Sequence, residues 1–575
     1  MDPSARLERY PLVSILLHSS RSLSLMEIEH SIEATKGCGI ITRSSSTNAS
    51  LPYNPSLAAD VVLRTSDDVD FYVIGPFLRF VSPVFMDMYT LRYGPAAEEN
   101  EKKDGRPLIR LEEDSRTLRL LLDLIYPHAK DPPLTDASLF WKVGKASKKY
   151  NMDVVEEKLQ LWIISSNLIS IASLRIYAIA IDLGWEGVAI EAACQTLETP
   201  LLGYVEELRS IPASGFYRFL EYRLRCDTSL SPYTETLMTL HARDVGRPAQ
   251  RDAGADAPAD APAPFNSSQE SDLILRSSDS VNFFVLKSLI HLVSPEFEQV
   301  FPSRGKTDDG KFLIHVTQDS KVLHQLLSII YYYIDEPDIH DFQLYMAVAE
   351  AAHDCKMAII EKKLRKLILN SPLITKEPLK VYVLATVLRW EDVTKLAALN
   401  TLSLPLQEMT YIEELSRITG EDLYRLVNFR FKCGEAACES LAADTVFMQS
   451  GPSNWNNFLH QSIDGLPTME DLKKEIKACP RGSTLESIYV SAISGLKNHP
   501  WSSDVAQVAE MMCYRRMGDV IEEAVSKVPF DFLLTSTSPV PVWAELSKTP
   551  HNTSCSQKID RSLLRRNRTT CYVNH

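Results

Sequence analysis

The sequence predicts an α+β protein in which one module is used twice: a small sheet with surrounding helices, each copy followed by a helical extension, plus a C-terminal helical region. Three observations lead there. Asp60 to Met88 reads DVVLRTSDDVDFYVIGPFLRFVSPVFMDM, in which two short alternating apolar runs flank a Ser-Asp turn and Ser-Pro opens another apolar segment. An imperfect copy runs from Asp272 to Phe301; at an offset of 212 residues Phe71 meets Phe283, Val73 meets Val285, and Ser82-Pro83 meets Ser294-Pro295. The match then continues into segments of helical period, where Leu174-Arg-Ile-Tyr-Ala-Ile-Ala aligns with Leu379-Lys-Val-Tyr-Val-Leu-Ala and Trp185-Glu186 with Trp390-Glu391.

Residues 1–56 are dense in Ser and Thr and lack a sustained period. They are read as a mostly disordered leader with a short helix near Leu23 to Ile32. The first sheet module is placed at 57–165. Val61 and Leu63 share a face, Ser66-Asp67-Asp68 turns the chain, and Val69, Phe71 and Val73 alternate on the return. Phe77, Leu78 and Val81 recur at helical spacing; Ser82 can cap the next helix and Pro83 suits its first turn, where the missing N–H has no intrahelical partner anyway. Gly94 to Arg106 reads as a charged, turn-rich loop and Leu108 to Leu111 as a short strand. Asp114-Ser115 opens an amphipathic helix carrying Leu118, Leu121, Leu122 and Ile125, which Pro127 stops. The counterparts are Phe312 to Val316, Asp319-Ser320, and Leu323, Leu326, Leu327 and Ile330. Asp114 and Asp319 are 205 apart, so the second copy has a loop seven residues shorter.

Helical extension 1 spans 166–245 and an Ala/Pro-rich linker 246–269, whose GRPAQRDAGADAPADAPAPFN has no apolar period. Module 2 is placed at 270–370, extension 2 at 371–445 and the C-terminal helical region at 453–533. In that region Thr468 and Asp471 are spaced for a capping box, and Val505, Val508 and Met512 share a stripe. Residues 534–575 lose periodicity and read as a disordered tail.

Composition bounds the function. A chain of 575 residues, 45% hydrophobic and 24% charged, fits a soluble protein of several domains. A formal charge of −14 argues against nucleic acid as the main partner, because phosphate affinity rests on clustered Lys and Arg. The basic residues between Arg561 and Arg568 are too sparse to identify a nuclear signal. Ten scattered cysteines suit reduced thiols in the cytosol or nucleus, and no run reaches the roughly 18 apolar residues of a membrane span.

Asp-Val-Val-Leu-Arg from Asp60, Ser66-Asp-Asp-Val-Asp-Phe71, Val81-Ser-Pro-Val-Phe85, Glu113-Asp-Ser115, Tyr126-Pro127, Lys149-Tyr-Asn-Met152 and Leu174-Arg-Ile-Tyr-Ala178 occur in an order that resembles fungal BTB/POZ-domain proteins. The resemblance covers roughly residues 57 to 533 and implies two tandem BTB-like modules. It departs where the family typically has a His after the second strand, since this chain has Ile74 and Leu286. Asp60 and Asp272 therefore need another partner or solvent, because an unpaired buried carboxylate is costly.

No catalytic, cofactor or metal site is assigned. Lys36 to Thr42 has no preceding strand for a phosphate loop. Gly305-Lys306-Thr307 resembles the end of one, but Val300 stands where its first Gly belongs and Asp308-Asp309-Gly310 follows, so a charged loop is expected. Cys433, Cys438, Cys479 and His460 are zinc-compatible types, but the gap between Cys433 and Cys438 is wider than the usual pairing, which favours buried free thiols. Glu112-Glu113-Asp114 reads as helix capping, and Tyr177, Trp185, Tyr382 and Trp390 as core on apolar stripes. Tyr331-Tyr332-Tyr333 cannot share one helical face, so at least one ring should be exposed or at an interface.

The function expected is a non-enzymatic interaction scaffold acting through protein partners, intracellular, without membrane or direct nucleic-acid contact. The copies would pair as an intramolecular pseudo-dimer, or chains as a homodimer. The resemblance also implies two alternatives: a substrate adaptor of a cullin-type ubiquitin ligase, presenting the loops Tyr89 to Arg106 and Pro302 to Lys311, or a partner-dependent transcription or chromatin regulator.

Overall fold

The structure is a computed structural model that describes residues 46–92, 101–126, 136–198, 203–228, 259–266, 271–297, 305–306, 310–331, 341–443, 469–495 and 504–531. It is mixed α+β, with two five-stranded sheets of the same order. In the first copy β1 (Thr47–Asn48), β2 (Val61–Arg64) and β3 (Val69–Val73) are followed by α1 (Gly75–Val81) and α2 (Pro83–Arg92). Then come β4 (Lys102–Lys103), β5 (Arg106–Arg110) and α3 (Ser115–Ile125). The sheet order is β1-β3-β2-β5-β4, with β2 antiparallel to β3 and parallel to β5. The second copy repeats it with β6 (Ala259–Asp260), β7 (Leu273–Arg276), β8 (Val281–Val285), β9 (Gly305–Lys306) and β10 (Phe312–His315). Its helices are α10 (Lys287–Val293) and α11 (Ser320–Ile330).

The repeated polar residues explain the repeated geometry. The hairpin turn places Asp68 and Ser280 at positive φ, and the carboxylates of Asp67 and Asp279 each accept bonds from the backbone and hydroxyl of the serine opening the next helix, Ser115 or Ser320, at 2.9 and 2.6 Å. The turn is thereby fastened to a helix 41 to 48 residues away. Asp114 and Asp319 cap α3 and α11 by accepting from Thr117 and Val322, both at 2.8 Å. Ser82 accepts from the Phe85 N–H and donates to the Tyr150 carbonyl at 2.5 Å; Ser294 donates likewise to Cys355.

The partners of Asp60 and Asp272 are helix N-terminal amides. Asp60 accepts from Gly75 N at 2.6 Å and Asp272 from Lys287 N at 2.7 Å, and both carboxylates are exposed, so the feared burial cost does not arise. The preceding amides, of Ile74 and Leu286, donate to the hydroxyls of Tyr126 and Tyr331. Tyr331 is therefore partnered within its own module; Tyr332 and Tyr333 lie outside the described residues.

Four boundaries need correction. The leader is not structureless to residue 56, because Thr47–Asn48 pairs parallel with β3 and Tyr53 is fully buried. The linker does not run to 269: Ala259–Asp260 pairs in the same way with β8, and Ala261 and Phe265 are buried. Lys102–Lys103 and Gly305–Lys306, both expected in loops, form edge strands against β5 and β10. Asp104 and Gly105, both at positive φ, make the β4–β5 turn. The proposed short helix at Leu23 to Ile32, the tail from 534, the Lys36 to Thr42 stretch and Thr468 lie outside the described residues.

Module 1 continues through α4 (Ala137–Lys149) and α5 (Asp153–Ser165), and extension 1 contains α6 (Leu168–Ile171), α7 (Ser173–Asp182), α8 (Glu186–Gln195) and α9 (Ala213–Thr228). Residues 229–258 lie outside the described residues. In the second copy α12 (Phe342–Asp354) and α13 (Ala358–Asn370) complete module 2, and the equivalents in extension 2 are α14 (Leu373–Lys376), α15 (Pro378–Val387), α16 (Glu391–Thr401) and α17 (Gly420–Ala443). The C-terminal helices α18 (Met469–Ala478), α19 (Gly482–Gly495) and α20 (Asp504–Lys527) follow. Of these, α18 and α20 pack on α17. Phe530 meets Phe429 and Tyr382 edge-on, and Lys432 pairs with Asp531 at 2.5 Å. Val505, Val508 and Met512 fall within α20, but their side chains lie outside the described set.

At the α19/α20 crossing a Cβ on Gly482 would stand 2.6 Å from the Gly518 carbonyl oxygen, which is backbone and cannot rotate away. Gly482→Ala should therefore push the helices apart and cost about 2 kcal/mol by overpacking. Hydrogen exchange should register it as faster exchange of α19 amides with the sheets unaffected.

Candidate interaction surfaces

The two copies meet through their extensions. Ala213 N donates to Ile418 O and Gly420 N to Ile211 O, each at 2.8 Å, with Pro212 facing Thr419 in an antiparallel bridge. Each residue of one copy thus contacts the equivalent of its own neighbour in the other, the reciprocity of a two-fold contact formed within one chain. Leu208, Ile211, Leu415 and Ile418 are buried there. Tyr424 packs against Tyr204 and Phe216 at ring separations of 5.8 and 6.1 Å. The polar contacts are less symmetric: buried Glu421 accepts from Arg209 at 2.5 Å and Arg425 at 2.7 Å.

The copies differ at the end of the sheet. The Asp70 side chain is inaccessible to solvent and is bonded by Arg64 through two nitrogens, at 2.6 and 3.0 Å, and by Lys103 at 2.7 Å. Burial pushes this carboxyl up, but the bonds from Arg64 and Lys103 outweigh it and hold it below the usual carboxylate range. In the second copy Asn282 takes the place, accepting from Arg276 at 2.8 Å.

Large apolar side chains are exposed at matching positions. Phe80 on α1 and Leu292 on α10, related by the offset of 212, are 87% and 69% exposed. Val154 on α5 and Ile359 on α13, related by 205, are 72% and 59% exposed. A large apolar side chain left in water at one site is ordinary; here equivalent sites of the two diverged copies share that exposure.

The residues weighed as chemistry have structural partners. Asp114, with its Thr117 cap, also pairs with Lys142 at 2.7 Å; these bonds overcome burial and bring its carboxyl down to about 2. Glu112 and Glu113 both accept from Lys149, and Glu113 also accepts from Tyr150 at 2.5 Å. Tyr177, Trp185, Tyr382 and Trp390 are buried, and each indole donates to a carboxylate, Trp185 to Glu156 and Trp390 to Glu361. Cys433 and Cys438 are buried free thiols, Cys433 pushed up by burial to about 12. Cys479 is a half-buried free thiol, also pushed up by burial, and His460 lies outside the described residues. Among the described residues no group of three His, Cys, Asp or Glu side chains is arranged to hold a metal ion, and no helix is long and apolar enough to cross a membrane. The sequence places Val154 on one apolar helical face with Val155, Leu159 and Trp162, but Val154 is exposed while Val155 and Leu159 are buried, and nothing in the sequence marks Phe80, Leu292 or Ile359 as exposed.

No protein-family model matches this chain, and no curated protein matches it.

Proposed function

We propose that this protein is a non-enzymatic interaction scaffold whose two BTB-like modules, held as a fused pair through their extensions, recruit protein partners. The observation carrying this reading is the equivalent exposure of Phe80 and Leu292 on the first helix after each hairpin. An isolated polar rim would not need such side chains, whereas the centre of a protein–protein contact does. The partners of Asp114, Glu112, Glu113 and Trp185 favour the same reading, because these groups cap, pair and pack rather than converge on a shared opening.

Proximity labelling with the Phe80→Glu/Leu292→Glu double variant tests it. The labelled set should lose a discrete group of neighbours while melting behaviour stays unchanged, because both side chains already sit in water. An unchanged set would remove these positions from the recruiting surface. Turnover of any substrate abolished by one polar substitution would overturn the non-enzymatic reading altogether.

A further inference from the structure

Helices α5 and α13 occupy equivalent places in the two copies and present the same inward residues: Val155 and Ile360, Leu159 and Leu364, Ile163 and Ile368 are all buried. Their outward faces have diverged in charge. On α5, Val154, Leu161 and Ile164 are exposed at 72%, 57% and 43%, with exposed Asp153 and Glu157 beside them. On α13, exposed Ile359 is retained, but Glu157 has become Lys362 and Leu161 has become Lys366, both exposed. Among the other charges Arg365 is bound to Asp392 at 2.5 Å, Glu361 serves Trp390, and on α5 Glu156 serves Trp185, while Lys158 and Lys363 occupy equivalent positions on the two helices and so leave the contrast between them intact.

We infer that α5 of one chain docks against α13 of a second copy, with Asp153 and Glu157 facing Lys362 and Lys366 across an apolar contact of Val154 and Leu161 with Ile359. Complementarity is the reason for choosing a second copy as occupant: the chain is acidic overall, so a basic apolar-centred helix is its unusual surface, and the matching acidic helix is on the same chain. The two faces are different, so the contact is head-to-tail. Each added chain leaves one face of each kind open, and assembly proceeds to rings or open chains rather than stopping at a closed dimer. One helix face on another is smaller than a standard stable interface of about 1,600 Å². The association is therefore weak, concentration-dependent and weakened by salt. It does not depend on which partners the modules recruit.

Sedimentation velocity of the full chain over a concentration series, at low and high ionic strength, tests this. The average mass should rise with concentration and fall with salt. Glu157→Lys and Lys362→Glu should each move the association to about tenfold higher concentration, a shift of about 1.4 kcal/mol, and the two swaps in one chain should restore most of it. Both sites are exposed, so the melting temperature serves as a check that each variant folds. A single monomeric species at every concentration overturns the proposal. So does association that ignores both swaps, and its loss in Phe80→Glu instead would place the contact on α1.

Discussion

Replacing Asp70 with alanine should expose the β2–β3 amides to exchange about a hundredfold faster at neutral pH. The side chain is wholly buried between Arg64, 13% exposed, and Lys103, 26% exposed. Taking it away leaves two cations facing each other with their anion gone. Breaking such a buried pair costs about 3 kcal/mol, more than either ion pair would contribute at a surface. The acid dependence follows from the direction of the Asp70 shift. Its carboxyl is held below the ordinary range in the folded chain, so its contribution is present above the unfolded value of about 3.9. It is lost as the pH falls through that value and then through the lower folded one. Wild type and Asp70→Ala should therefore differ widely at neutral pH and converge as the pH falls below the ordinary carboxylate range and through the lower folded value. Asp70→Asn should fall between them and show little of this acid dependence, since Asn282 already serves as a neutral acceptor for Arg276 in the second copy. Hydrogen exchange is the right measurement, because a chain of several packed units has no single unfolding free energy. Equal exchange of wild type and alanine variant at neutral pH would show that the cluster is not what holds this end of the sheet.

The repeat was legible because its signals are local. Ser-Asp turns, Ser-Pro helix starts and Asp-Ser caps act over two to four residues, and each recurs with the same partners in the structure. Strands β1 and β6 were missed because two residues cannot show an alternating period. A longer comparison at the same offset would have found them: Asn48-Ala-Ser-Leu-Pro-Tyr-Asn54 aligns with Asp260-Ala-Pro-Ala-Pro-Phe-Asn266, and both Pro residues follow cis peptide bonds. Without the family's His, Asp60 and Asp272 call for another partner or for solvent, and the structure supplies both: each carboxylate is exposed and accepts from an amide in the first turn of the following helix, where such donors have no intrahelical acceptor. Nothing local marks Phe80 or Leu292 as outward-facing; only the packing of α1 and α10 against the rest decides which side is left to water.

Gly420→Val should detach the two copies from each other while leaving both folded. Gly420 begins α17 at the two-fold contact, where a Cβ would lie 3.0 Å from the Leu208 carbonyl oxygen and 3.0 Å from Ile211 Cγ1. A single methyl could be absorbed by small shifts of Ile211, but the two branches of valine cannot both avoid the Leu208 backbone. Relief requires separating the strands that carry the reciprocal Ala213–Ile418 and Gly420–Ile211 bonds. Overpacking and the loss of those two bonds together come to about 3 to 4 kcal/mol. The damage stays local, because the sheets and the core helices of each copy are closed by contacts within the copy, such as Asp67 with Ser115 and Asp279 with Ser320. Small-angle scattering should show a larger radius of gyration. The Arg209–Glu421 pair adds an independent check. Arg209→Ala removes a partner of a buried carboxylate without adding bulk, so it should loosen the same contact by a smaller amount; a radius unchanged in both variants would mean that the copies are held together elsewhere.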